Sequence, residues 1–588
     1  MKNLHSSLEA LETRIAPASI NAAGTVLTYT DIDGDLVKIT FTKVKVTDAN
    51  FTFSTGTATD GVDTARTLDK INLIGAAGAG FTLTATPKGG KGDSHANIGE
   101  IDALATNLGT VSVDGDVNRV TAGSIADTVV GIKSFTALSM GRTNFTSAPV
   151  FSEVKSAGSF VVKNAATDVR LTFLGNVQTL SIGGNFGDLI ANGSDINIAG
   201  NVGTLKIGGS VLARDTSHGS IKIGGTTGSF TLGGSLFGAT SGSVTDFQVD
   251  LGTSAKTITI GGDLQGKAAQ GGGSLLVGSA GTIKIGGSLH GGVGTNTASL
   301  VVLTAAKSLS IGGDVRGFAG ANTNQGLNGG SIVVDTIGSV RIGGSMIGTA
   351  AAGGSGSYTG GSVGSFTIGH NLISNTPTGN FLDGVILLSG NLGSLKIGGD
   401  IIVGSPSSTN YEPVISVGGV IGSMSVGGSI LGSTNHPATI LAGGLGAAEG
   451  AAAIKSLSVK HDVRLASIVA SYRWSTGSFL TANTGTGIGK VTIGGDLVAS
   501  QVMAGTTPSS DGIPGTQDDG FVAGSLARID KVKIGGAFTG YPGSTTTFFY
   551  IQAPYVKAVS IGKVTYTHDQ FVSPLSFTAI GKATILTL

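Results

Sequence analysis

The sequence predicts an all-β protein: a right-handed parallel β-solenoid (β-helix) with about three short strands per coil and a small N-terminal β cap. Three observations lead there. Glycine supplies 100 of 588 residues and proline only 12, yet hydrophobic residues still make up 40%. A disordered Gly-rich chain would lack those aliphatics, and collagen needs Gly at every third position with abundant Pro. Short alternating apolar segments recur along most of the chain and close on a Gly-Gly corner, as Ile196-Asn197-Ile198 and Leu205-Lys206-Ile207 do before Gly208-Gly209-Ser210. The two segment ends stand nine residues apart in pair after pair: Phe173/Ile182, Ile198/Ile207, Ile223/Leu232, Leu251/Ile260, Leu276/Ile285, Val302/Ile311, Val333/Ile342, Leu388/Ile397 and Val417/Val426.

A constant step combined with variable gaps describes two rigid strands meeting at a defined corner, with loops inserted elsewhere. Successive coils are spaced typically 25 to 31 residues apart, in the range of solenoid repeats. Within a segment the period is two, so Ile196 and Ile198 share one face while Asn197 faces the other way. Helical spacing is not sustained anywhere in the repeats. A third short strand is expected after the glycines, as in Ser210-Val211-Leu212 and Ser288-Leu289-His290. The glycines themselves are expected to supply positive φ and room for stacked backbones.

Four segments follow in chain order. Residues 1–19 form an amphipathic, targeting-like segment with leucines at 4, 8 and 11 and an A-x-A-like Ala16-Pro17-Ala18, but without the apolar core of a standard secretory signal. The stretch Leu8-Glu9-Ala10-Leu11-Glu12-Thr13-Arg14-Ile15-Ala16-Pro17 resembles the LEPR-XLL-type N-terminal segment of large exported repeat proteins in planctomycete- and verrucomicrobia-like bacteria. Thr13 stands where that motif usually has Pro, and Ala16-Pro17 where it has two leucines. The glycine-rich repeats likewise resemble the β-solenoids of exported bacterial proteins carrying such a segment. The resemblance implies export to the cell surface or the medium.

Residues 20–107 read as a β unit capping the first coil, since a repeat array would otherwise end in exposed core and unpaired strand edges. Val26–Thr30 and Leu36–Phe41 alternate around the turn Asp31-Ile32-Asp33-Gly34-Asp35. Residues 108–540 carry the solenoid repeats, and residues 541–588 the last coil and an aromatic-rich C-terminal cap.

Composition narrows function mostly by exclusion. Lys plus Arg equals Asp plus Glu at 36 each, and no basic stripe suited to nucleic acid is visible. Without cysteine there is neither a disulfide nor a thiolate-held metal. No apolar run is long enough for a transmembrane helix. The histidines are scattered, and the G-x-S-x-G string at Gly360–Gly364 is expected roughly twice by chance at this Gly and Ser content.

Two groups of carboxylates are candidate cation ligands, with calcium the ion they suit. Asp31, Asp33 and Asp35 sit in one turn, but Gly and Glu are missing from the sixth and twelfth positions that an EF-hand needs. Asp462 and Asp496 are neighbours in a ladder of Ser, Asp and Asn that follows the Gly-Gly corners, where capping of backbone N–H groups is the simpler account. Tyr472, Trp474 and Phe479, in a long excursion, are candidates for stacking on a sugar. No catalytic residue and no cofactor emerges. The function expected is an exported, non-enzymatic surface scaffold or adhesin-like binder, with cell-surface glycans or other surface proteins as partners. The alternative is a polysaccharide-binding or polysaccharide-cleaving β-helix protein, which would need clustered acids beside Lys or Arg on one exposed sheet face.

Overall fold

Alternation decides which side chains turn inward. The computed structural model describes residues 18–55, 66–90, 92–126, 128–141, 150–187, 194–213, 219–239, 248–267, 272–294, 296–318, 329–349, 355–374, 383–404, 413–434, 436–475, 478–508, 512–514, 519–540, 548–570, 575–577 and 582–586. It is 59% strand with ~1% helix, and its parallel coils stack into a β-solenoid of about 15 turns. Residues 1–17, with most of the targeting-like segment, lie outside the described residues. The chain divides into two units, residues 1–209 with 222–225 and residues 210–221 with 226–588.

The first unit opens with antiparallel strands. Ser19–Ile20, Val26–Thr30, Asp35–Thr42 and Gly80–Pro87 pair in that order. In Asp35–Thr42 every second residue is buried, so Val37, Ile39 and Phe41 face the interior. Phe41 packs against Phe51 and Phe81 at ring-centroid distances of 5.7 and 5.6 Å. Parallel coil pairing already begins inside the 20–107 segment: Arg66–Asn72 runs beside Ile98–Leu104, and Gly80–Pro87 beside Leu108–Val113.

From there the coils follow one plan. Val169–Phe173, Val177–Ile182 and Phe186–Gly187 are successive short strands separated by corners. Ile196, Ile198, Leu205 and Ile207 are fully buried, each stabilising the fold by about 2 kcal/mol through the apolar area removed from water. Each sits on its counterpart one coil earlier, Ile198 on Phe173 and Ile207 on Ile182.

The second unit repeats this three-strand plan, for example in Ser274–Val277, Ala280–Ile285 and Leu289–His290. It also corrects two expectations. The step between inward residues is eight or nine, not always nine. Leu276 faces outward and Val277 inward, and Val333 is 39% exposed while Val334 is buried. The corner absorbs the difference: Val277 and Ala280 lie opposite Val302 and Ala306, so three positions in one coil match four in the next. A register shift at the same corner, between Val302 and Ala305, realigns the following coil.

The second correction concerns the Gly-Gly corners. Gly343 and its equivalents do not adopt positive φ. Their requirement is close approach instead, because a Cβ on Gly343 would lie 2.2 Å from the Gly312 carbonyl oxygen. At the C-terminal end antiparallel pairs reappear, Ala558–Ile561 with Val564–Thr567 and Leu575–Phe577 with Lys582–Leu586.

Candidate functional site

The polar residue after each Gly-Gly corner is occupied structurally. In the second unit the backbone N–H of Ser235 donates to Ser210 Oγ at 3.1 Å, that of Asp263 to Ser235 Oγ at 2.9 Å, and that of Ser288 to Asp263 Oδ1 at 2.7 Å. Asp314 and Ser345 extend the chain of bonds at 3.0 and 2.7 Å. It continues through Asn371, Asp400, Ser429, Asp462 and Asp496 to the N–H of Ala537. Each side chain thus satisfies an N–H that the turning backbone would leave unpaired.

This places the first metal candidates. Asp462 Oδ1 accepts from the Asp496 N–H at 2.9 Å, and Oδ2 accepts from Arg464 at 2.9 and 3.2 Å. The Asp496 N–H, with help from Arg464, holds the Asp462 carboxyl below its usual range against the opposing effect of burial. Asp496 Oδ1 is engaged by Ala537. The pair belongs to the ladder, and Arg464 supplies the positive charge a cation would have brought.

Asp31, Asp33 and Asp35 are brought together as the sequence suggests. Their carboxylate oxygens lie within 4.8 Å of one another, and they are the one such acidic or histidine cluster among the described residues. Two ionised carboxylates at that separation repel by about 3 kcal/mol at an effective dielectric near 20. Burial, followed by a hydrogen bond with Asp33, pushes the Asp31 carboxyl well above its ordinary value. Burial and the charge of Asp33 likewise raise Asp35, while the Ser94 and Asp93 amides act in the opposite sense without closing a good hydrogen bond.

Tyr472, Trp474 and Phe479 also come together, but as an anchor. Tyr472–Ser475 and Ser478–Thr481 form an antiparallel hairpin. Tyr472 is buried with Leu441, Val469 and Met503, and Trp474 and Phe479 pack against that cluster. The Tyr472 hydroxyl donates to the Thr506 carbonyl at 2.6 Å, and the backbone N–H of Trp474 donates to Ser416 Oγ at 2.8 Å. Tyr472 is therefore closed to a sugar. The rings of Trp474 and Phe479 meet edge to face at 4.8 Å, which spends one face on the protein itself.

A charged outer face in the first unit escaped sequence reasoning. Lys70, Glu100 and Arg119 stand in register on three adjacent parallel strands, with Asp102 two residues beyond Glu100. Lys70 Nζ lies 2.5 Å from Asp102 and 3.4 Å from Glu100, and Arg119 lies 3.5 Å from Glu100. Further along, Phe151, Arg170 and Asp195 are in register too; the Arg170 guanidinium sits 4.9 Å from the Phe151 ring centroid and 3.3 Å from Asp195. Phe151 is 55% exposed.

The coils carrying Lys70, Glu100 and Arg119 are 30 and 19 residues apart, and those of Glu100 and Arg119 lack the Gly-Gly corner of the later coils, so no shared motif aligns the three. The Asp102 hydrogen bond raises Lys70 above its ordinary value. Burial works to raise Asp102, but the bond from Lys70 outweighs it and leaves the carboxyl low. Both shifts lead away from neutrality, where a general acid or base works best. A groove of about 660 Å³ in the same unit is lined by Ile125, Val130, Lys155, Leu174 and Gln178 among others.

No protein-family model matches the chain, and comparison finds no similar curated protein and no similar solved structure. Among the described residues no helix is long and apolar enough to cross a membrane.

Proposed function

We propose that the protein is an exported, non-enzymatic β-solenoid that works as a cell-surface scaffold or adhesin-like binder, with the outer sheet face of its first unit as the contact surface. The observation that carries this reading is the division of polar side chains. Those at the corners are used up by the ladder, while Lys70, Glu100, Arg119, Phe151 and Arg170 form a mixed charged and aromatic face across adjacent coils. Alternating charges with an exposed ring suit a polar polymer, which hydrogen-bonds to the charges and stacks on the ring. Export rests on the resemblance of the N-terminal segment.

The same face also supports the alternative, a polysaccharide-cleaving protein, because two acids stand there beside a Lys and an Arg. Their mutual pairing favours binding over catalysis. A glycan array combined with a polysaccharide-degradation screen tests both readings. Binding that falls at least tenfold in Phe151→Ala and Arg119→Ala, with no sugar released, is the expected result. Sugar release abolished by Lys70→Ala would replace the scaffold with an enzyme. Failure to bind any glycan or surface protein would remove the binder.

A further inference from the structure

We propose that Asp31, Asp33 and Asp35 form a calcium site that clamps the N-terminal cap. Three carboxylates in one turn would not by themselves make a site. What points to an ion is the state of their oxygens. Asp35 is fully buried, and neither of its carboxylate oxygens has a hydrogen-bond partner; Asp33 Oδ1 is buried without one as well. An ionised carboxylate is acceptor-only, so sealing it from water without a donor is costly unless a cation replaces the donors. In the corner ladder each Asp finds an N–H; of the three here only Asp31 does, and both oxygens of Asp35 are left without one.

The surrounding backbone is arranged for the oxygens to converge. Asp31 Oδ1 accepts from the N–H groups of Gly34 and Asp35 at 3.2 and 2.7 Å, which fixes that carboxylate and folds the turn around it. On the other side the loop following Gly80–Pro87 closes over Asp35. Gly92 has φ +98°, and a Cβ there would lie 2.0 Å from Asp35 Oδ1, so only glycine lets the loop come so near. Nearby, the Tyr29 hydroxyl is also buried without a partner. Several oxygens without donors, converging from one turn, suit the six to eight oxygen ligands of calcium better than the strict octahedron of magnesium. Bound there, the ion ties the turn between two cap strands to the loop that follows the third.

Calorimetric titration of the full chain with CaCl2, alongside hydrogen exchange of the cap strands, tests the site. One saturable site is expected, in the range of about 10⁻⁴–10⁻³ M typical of extracellular calcium modules. Exchange of the Val26–Thr42 amides should slow at least tenfold in 10 mM CaCl2 relative to chelator. Asp35→Asn should weaken binding at least tenfold, while Asp335→Asn, an exposed aspartate elsewhere, should titrate as the parent does. Should Asp35→Asn fail to fold, Asp33→Asn, which is only half-buried, serves in its place. No saturable heat together with unchanged exchange would overturn the site. So would aspartate variants that bind calcium like the parent, or MgCl2 binding as tightly as CaCl2.

Discussion

Aspartates at the corners of the second unit and aspartates in the cap of the first live under opposite conditions. Asp263 and Asp314 each accept a backbone N–H at 2.7 Å from the coil that follows. Asp35, fully buried where those two are half-buried, accepts none. The residue type is the same and the outcome differs because of the backbone around it. A corner that repeats once per coil presents an N–H to every predecessor, whereas the cap turn has no successor to supply one. Asp383 stands between the two. Its Oδ1 accepts from both the N–H and the hydroxyl of Ser355 at 2.7 Å, while its Oδ2 is buried without a partner.

The largest effect expected from this contrast is at Asp383. Burial pushes its carboxyl up to about 7 despite the Ser355 bonds. Below about pH 4 the folded and unfolded chains both hold the proton. As pH rises from 4 to 7 the unfolded chain loses it first, so stability falls through that window, by up to about 4 kcal/mol. Asp383→Asn should flatten the slope, read from urea midpoints across pH and from exchange of the Tyr358–Ile368 amides; an unchanged slope would place Asp383 with the satisfied aspartates. Next in size is Gly343→Ala, whose Cβ meets backbone rather than a movable side chain. It should cost about 1–3 kcal/mol, seen as lost exchange protection in the adjoining coils. An alanine tolerated there would show that the corner can open.

Smaller still is Asp314→Ala, which strips the Ser345 N–H of its acceptor and should cost about 1–2 kcal/mol. Asp314→Asn keeps an acceptor oxygen and should stay within about 0.5 kcal/mol of the parent. A large loss in Asp314→Asn would mean that charge, not the hydrogen bond, sustains the ladder.

Much of this was readable beforehand, for local reasons. Alternation in Leu205-Lys206-Ile207 follows from strand geometry alone, and the Ser, Asp and Asn after each Gly-Gly corner advertise an acceptor next to a turning backbone. The Asp31–Asp35 group was visible because its members share one turn. What stayed hidden depends on contacts between distant coils. Val333 and Val334 are equally apolar, and only the preceding coil decides which faces inward. Leu441, Val469 and Met503 are outward residues buried by the hairpin that carries Trp474. The nearly continuous apolar runs around them, such as Ala438–Ala442 with Thr439 its one polar member, were the available sign that both faces of those strands are covered. The alignment of Lys70, Glu100 and Arg119 needed coil lengths that no motif marks.

The corner that crosses in three positions in one coil and four in the next has a consequence for how such a chain can change over generations. In most sheets a single deleted residue turns every side chain beyond it to the wrong face. Here the error is cancelled before the next strand begins, because each coil takes its alignment from the one beneath it. A residue gained or lost at a joint can thereby leave the strands on either side in line, so the length of a coil is free to change while its interior keeps its register.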